Sequence, residues 1–181
     1  KASIDYAAGV MTGLTNTAKD YPALLLGMQV FGNRSGFSGR LMKTVREEEG
    51  LTYGVYAYPS GFNATTDGYL YIWATFAPEL FKKGKQSVLR QVAKLIAGGV
   101  TDEEVAKHAQ LYDARSKVLL SNSMAFARAA HDTLVDGKKL TYLDEFPKKI
   151  LKLKAKEVNQ VLKKYLLEHS LSDAAAGTFA K

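Results

Sequence analysis

Residues 36–61 read GFSGRLMKTVREEEGLTYGVYAYPSG, and the change of period inside this stretch sets the architecture of the chain. Up to Glu49 the apolar residues Phe37, Leu41, Met42 and Val45 fall at i, i+4, i+5 and i+8, while Lys43, Glu47 and Glu48 take the other side. That spacing predicts a short amphipathic helix over 37–49, and Gly50 is placed to end it with a left-handed cap. The period then drops to two. A strand is predicted over Tyr53–Tyr58, a turn-rich segment over 59–68, and a second strand over Tyr69–Phe76, the two forming a hairpin. In the second strand Leu70, Ile72, Ala74 and Phe76 alternate with Tyr69, Tyr71, Trp73 and Thr75. Both faces are apolar or aromatic, so one belongs to the core and the other is covered or used for contacts.

Working outward, Ile4, Tyr6, Ala8 and Val10 alternate and predict a strand over Ser3–Met11, closed by a turn at Gly13–Asn16. A helix follows, with Asp20 as its expected N-cap, Pro22 in the first turn and Gly32 as its stop, and then a flexible loop over Gly32–Gly36. Downstream of the hairpin the chain reads as mainly helical. One helix runs from Phe81 to a stop at Gly98 and Gly99, and Thr101 with Glu104 three residues on is a capping box that launches the next. Ser121, Asn122 and Ser123 break the following pattern, Gly137 ends it, and further helices are expected over Glu145–Ile150 and Ala155–Leu166. The segment Leu171–Ala180 is read as a closing strand. With no internal repeat or linker, residues 1–181 are read as one domain. The order of elements predicts an α+β two-layer sandwich, a mainly antiparallel sheet covered by helices.

A chain of 181 residues with 46% hydrophobic and 24% charged residues has the balance of a folded domain with a sizeable core. No cysteine is present, which excludes a thiol nucleophile, a disulfide framework and any cysteine-ligated metal, and suits either the periplasm or the cytoplasm of a bacterium. No apolar run reaches the roughly 20 residues of a spanning helix. The start at Lys1, without an initiator methionine or a signal peptide, is read as a cut from a longer chain. The net charge of +7 raises the possibility of nucleic acid, but much of the excess lies between Lys138 and Lys164, where lysines alternate with apolar residues at helical spacing. A solvated helix face accounts for that pattern without a nucleic-acid partner.

Catalytic motifs are mostly absent. Hydrolytic zinc sites of the H-E-x-x-H or H-x-x-E-H type need two histidines one helical turn apart and a glutamate, and His108, His131 and His169 have no such partners. Each is read as an ordinary helix or loop residue. There is no G-x-S-x-G elbow, no Walker loop and no dinucleotide fingerprint.

What remains is the opening stretch. A small-residue loop, then Arg40-Leu41, then Arg46 followed seven positions later by Tyr53 with Gly50-Leu51 between them, resembles the C-terminal-half signature of the inverzincin metallopeptidases. That family includes pitrilysin, insulin-degrading enzyme and mitochondrial processing peptidase. The resemblance extends over nearly the whole chain and departs from the commoner pattern in a longer loop over Asn33–Phe37 and in Gly39.

The resemblance implies a half that binds no zinc, working with a separate zinc-bearing domain or subunit on a peptide substrate, with Arg46 and Tyr53 reaching the bound peptide. It also implies an alternative, a degenerate member with a scaffolding role only, as in the core subunits of respiratory complexes. The residue chemistry suits a clamp: arginine offers fixed donors and keeps its charge, and a tyrosine hydroxyl can donate to a peptide carbonyl. The residues alone leave another reading open, in which Arg46 pairs with Glu49 or lies over Met42 and Tyr53 is one sheet tyrosine among ten. Arg40 is expected to cap or brace the loop, and Arg34 to be solvated.

Overall fold

A computed structural model describes residues 2–33, 38–167 and 171–179. Strand β1 (Ile4–Met11) is followed by helix α1 (Tyr21–Phe31), a π-helix (Met42–Glu48) and the hairpin of β2 (Gly54–Ser60) and β3 (Tyr69–Phe76). A short turn over Pro78–Leu80 then leads into α2 (Phe81–Gly98), α3 (Asp102–Leu120), α4 (Ser123–Val135), α5 (Tyr142–Leu151) and α6 (Ala155–Leu167), and β4 (Ser172–Gly177) closes the described chain. The strands form one sheet in the order β2-β3-β1-β4, every pairing antiparallel. This is the expected α+β sandwich.

Alternation decides what lies between the layers. Ile4, Tyr6, Ala8 and Val10 of β1, Leu70, Ile72, Ala74 and Phe76 of β3, and Val55 and Ala57 of β2 are all buried on one face. Against them pack the apolar stripes of the helices, among them Leu24 and Met28 of α1, Val88 and Leu95 of α2, Val105 of α3, Ile150 of α5 and Leu162 of α6. The lysines between Lys138 and Lys164 that were read as a solvated face are exposed, except Lys138, which is half-buried. Its Nζ lies 3.1 Å from Asp136 and 4.5 Å from the centre of the Tyr142 ring.

Several boundaries fall where the residues put them, strand ends shift by a residue or more, as in β2 at Gly54–Ser60 instead of Tyr53–Tyr58, and three larger differences stand out. Thr101 Oγ1 accepts from the Glu104 amide at 3.2 Å while Glu104 Oε2 accepts from the Thr101 amide at 2.8 Å, completing the capping box. The break at Ser121–Ser123 separates two helices, with Asn122 Oδ1 capping α4 through the Ala125 amide at 3.0 Å. Asp20, by contrast, makes no side-chain cap. Its carboxylate instead accepts from the Tyr165 hydroxyl at 3.0 Å and from Lys164 at 3.3 Å, tying α1 to α6. Helix α5 begins three residues before the expected Glu145, at Tyr142. The third difference is the π-helix at Met42–Glu48, where an ordinary helix was expected. The expected loop at Gly32–Gly36, the start of that helix at Phe37 and the strand end at Ala180 lie partly outside the described residues.

Close packing brings the π-helix next to the sheet. A Cβ on Gly32 would sit 2.1 Å from the Ala57 backbone nitrogen, and one on Gly39 would sit 2.8 Å from the Gly32 carbonyl carbon. Only glycine lets α1, the turn before the π-helix and β2 approach this closely.

Candidate functional site: a groove beside the hairpin

The segment from Arg40 to Gly54 is held at several points. At its start, Arg40 forms a two-pronged ion pair with Glu104 of α3, Nε to Oε1 and Nη2 to Oε2 both at 2.6 Å. This braces the segment, as expected of Arg40, but the partner is the carboxylate that also closes the capping box. The Arg40 guanidinium, through its hydrogen bonds, is the main cause holding the Glu104 carboxyl below its ordinary pKa. At the end of the π-helix, Glu49 accepts from Arg90 of α2 at 2.6 Å. Burial raises the Glu49 pKa, but hydrogen bonds from Ser87 and Arg90 outweigh it and leave the net shift downward.

Between these anchors the backbone winds wider than an α-helix. The Glu49 amide bonds to the Thr44 carbonyl five residues back at 2.9 Å, and the Leu51 amide reaches Val45 at 3.0 Å across a Gly50 with φ of +63°. Gly50 is needed for that angle and not for space, since a Cβ there would meet nothing within 4 Å. Leu51 is buried beneath the turn. The Thr52 hydroxyl sits between the carbonyls of Gly54 and Thr75 and accepts the Gly54 amide at 3.1 Å, pinning the turn onto β3.

Arg46 lies in the middle of the π-helix and is half-buried. Tyr53 precedes the first residue of β2 and is 82% exposed, so it is a turn residue and not the opening residue of the strand. The two side chains line one groove of about 460 Å³, together with Gly50, Thr52, Thr75 and Glu79. Glu79 places a carboxylate in the same groove as the Arg46 cation. Reading the sequence alone missed Thr52, Thr75 and Glu79. The only local signal was the position of Thr52 inside the Gly50–Tyr53 segment. Arg34 lies outside the described residues.

The chain's three histidines stand far apart in sequence, and among the described residues no three His, Asp or Glu side chains come together as a metal cluster. His108 is a buried residue of α3 and His131 is exposed on α4, while His169 lies outside the described residues. Burial is the main cause that keeps the His108 imidazole below its ordinary pKa, and nearby Lys107 adds to it. Among the described residues no helix is long and apolar enough to cross a membrane.

Residues 6–112, which include the whole segment from Arg40 to Gly54, match the model of the peptidase M16 inactive domain, and the chain belongs to that family. No curated protein sequence matches this one. The fold is shared with solved structures. The peptidase M16 inactive domain from Pseudomonas fluorescens superposes with a TM-score of 0.83 at 24% identity, over 97% of this chain and 41% of that one. A protease from Helicobacter pylori gives 0.83 at 19% identity, over 96% and 41%. A chain of complex III from Candida albicans gives 0.73 at 16%, over 95% and 42%. This chain therefore spans about two fifths of the length of each.

Proposed function

We propose that this domain is the substrate-positioning half of a zinc-dependent endopeptidase acting on peptides or unfolded polypeptides, with the zinc carried by a separate domain or subunit. The observation that carries this reading is that Arg46 and Tyr53, seven residues apart in sequence, line the same groove. Each is held by a stiff local structure. The ion pairs of Arg40 and Glu49 fix the two ends of the π-helix, and Thr52 fixes the turn before Tyr53. A backbone fixed in advance lowers the ordering cost of binding, which is what a positioning site requires.

In this reading the Arg46 guanidinium donates to carbonyl oxygens of the bound peptide and keeps its charge at any working pH. The Tyr53 hydroxyl, exposed beside it, donates to the carbonyl at the cleavage site or to the oxygen on which charge develops. Water activation belongs to the other half. A second reading, scaffolding alone, draws on the shared fold with the complex III chain, and the same experiment separates the two.

The test is turnover of an unfolded peptide by this domain combined with its zinc-bearing half. The domain alone is expected to be inactive. Tyr53→Phe is expected to lower kcat by about 100-fold, the usual effect of losing one donor to a developing oxyanion, and Arg46→Ala to lower turnover mainly through a raised KM, while the zinc content of the assembly stays the same. Full activity in the double variant overturns the clamp and leaves the scaffold.

A further inference from the structure

The outward face of the sheet has a composition unlike that of a sheet meant for water. An antiparallel sheet with one free face normally turns charged and polar side chains outward. Here β2 and β3 present five rings on that face, Tyr56, Tyr58, Tyr69, Tyr71 and Trp73, while β1 and β4 present Ala7, Gly9, Ala174 and Ala176. Asp5 is the one charged side chain that the alternation places there. The rings brace one another: Tyr56 stacks on Trp73 at 5.9 Å, and Tyr71 meets Tyr58 and Tyr69 edge-on at 5.5 and 6.0 Å. Tall rings beside small side chains make a step, and along it runs a trough of about 510 Å³ walled by Tyr69 and Tyr71 and floored by β1 and Ala174. The floor at Gly9 must stay bare, because a Cβ there would come within 2.8 Å of the Leu70 carbonyl oxygen.

This trough and the groove of Arg46 and Tyr53 are separate hollows along the same strand. Thr75 lines that groove, Trp73 is the next outward residue of β3, and Tyr71 and Tyr69 then wall the trough. One line of alternate β3 residues thus joins the two. Six residue steps at about 3.3 Å make this line roughly 20 Å long, the span of six residues of extended polypeptide.

We propose that the outward sheet face is an extended-peptide track continuing from the Arg46–Tyr53 groove, with apolar and aromatic side chains of the peptide set against Trp73 and Tyr71. It rests on the substrate-positioning reading above and adds a preference to it. A polynucleotide is disfavoured because, among the described residues, the alternation places no cation on this face, and the charged residues on it or lining the trough, Asp5 and Asp173, are both carboxylates. Acidic peptide side chains gain nothing from ring faces and methyl groups and would leave water to reach them. An apolar side chain exchanges water for rings held in place.

Trp73 is the only tryptophan of the chain, and the chain has no cysteine, so two clean probes are available. Titrating the 181-residue chain with an unstructured peptide rich in Phe and Leu is expected to change Trp73 emission saturably. A Ser- and Glu-rich peptide of equal length should bind at least tenfold more weakly. Ala174→Glu, at an exposed edge position, should raise the Kd for the apolar peptide at least tenfold with its thermal unfolding unchanged. Silent Trp73 emission, equal affinity for both peptides, or an unaffected Ala174→Glu each overturns the track.

In the assembled enzyme, Ala174→Cys should react with a maleimide and be protected by peptide. If it is unreactive without peptide, another domain covers this face and the track is wrong. The two readings fail separately. Full turnover in the Arg46 and Tyr53 variants with an intact Trp73 signal removes the clamp only, whereas lost turnover with a silent Trp73 removes the track only.

Discussion

Glu104 serves two structures at once, and removing it should show both in separable amounts. Its carboxylate takes two hydrogen bonds from Arg40 at 2.6 Å and one from the Thr101 amide at 2.8 Å. Glu104→Gln keeps a side chain able to close the capping box but loses the ion pair. Charge-assisted bonds of this kind contribute about 1.5–3 kcal/mol when shielded, and solvent at a pair 28% and 29% exposed reduces that toward about 1 kcal/mol. Glu104→Ala also loses the reciprocal cap, a further loss of about 1 kcal/mol. The expected losses are therefore about 1 kcal/mol for Gln and about 2 for Ala, the latter a fall in Tm of about 4–8 °C for a domain this size.

Urea unfolding at neutral pH measures both, and a cycle with Arg40→Ala should return a coupling near 1 kcal/mol. The pH dependence has a definite sign. Because the folded carboxyl is held below its ordinary 4.5, its contribution is present above that value and lost as the pH falls through the folded pKa. The gap between the parent chain and Glu104→Gln should close in acid, and narrow in molar salt. Strict additivity with Arg40→Ala, or a gap that widens in acid, would refute this account of the pair.

Two further outcomes follow from the backbone and from burial. Gly50→Ala should destabilise by about 1–2 kcal/mol through its left-handed angle alone, with Gly50→Asn less costly; equal stability of the Ala variant in urea would show that the turn relaxes. His108, buried and held neutral, should titrate by NMR below the ordinary 6.5. Because the unfolded chain then binds more protons, stability should decline as the pH drops below that value; a midpoint at or above 6.5 would contradict it.

The parts of the fold that could be read from the residues were those set by local chemistry. The Thr101–Glu104 box and the alternation of β3 leave one consistent answer, and both stand where the sequence put them. The mixed apolar and aromatic character of β3 read as one face for the core and the other covered or used for contacts, and the core face is the one the alternation gave. What local reading could not supply came from distant partners. Asp20 has the chemistry of a cap, yet its oxygen is taken by Tyr165, 145 residues away. The π-helix is invisible for a different reason. Leu41, Met42 and Val45 are buried either way, and over so short a run a wider period leaves the same apolar pattern. Arg46 and Tyr53 were legible as a spaced pair, but their shared groove is also lined by Gly50, Thr52 and Thr75, and the alternation that puts Thr75 on the outward face of β3 does not by itself bring it beside them.

The π-helix also bears on how this region tolerates change. A π turn is an α-helical turn lengthened by one residue, so the segment between Arg40 and Glu49 holds one residue more than an α-helix between the same two ion pairs would hold. With both ends fastened to other helices, a lost or gained residue cannot be absorbed by sliding the segment along the sheet. It must be absorbed by rotation about the helix axis, which swings Arg46 around that axis while the anchors stay in place. Length, more than residue identity, is then the variable that sets the direction in which this cation points.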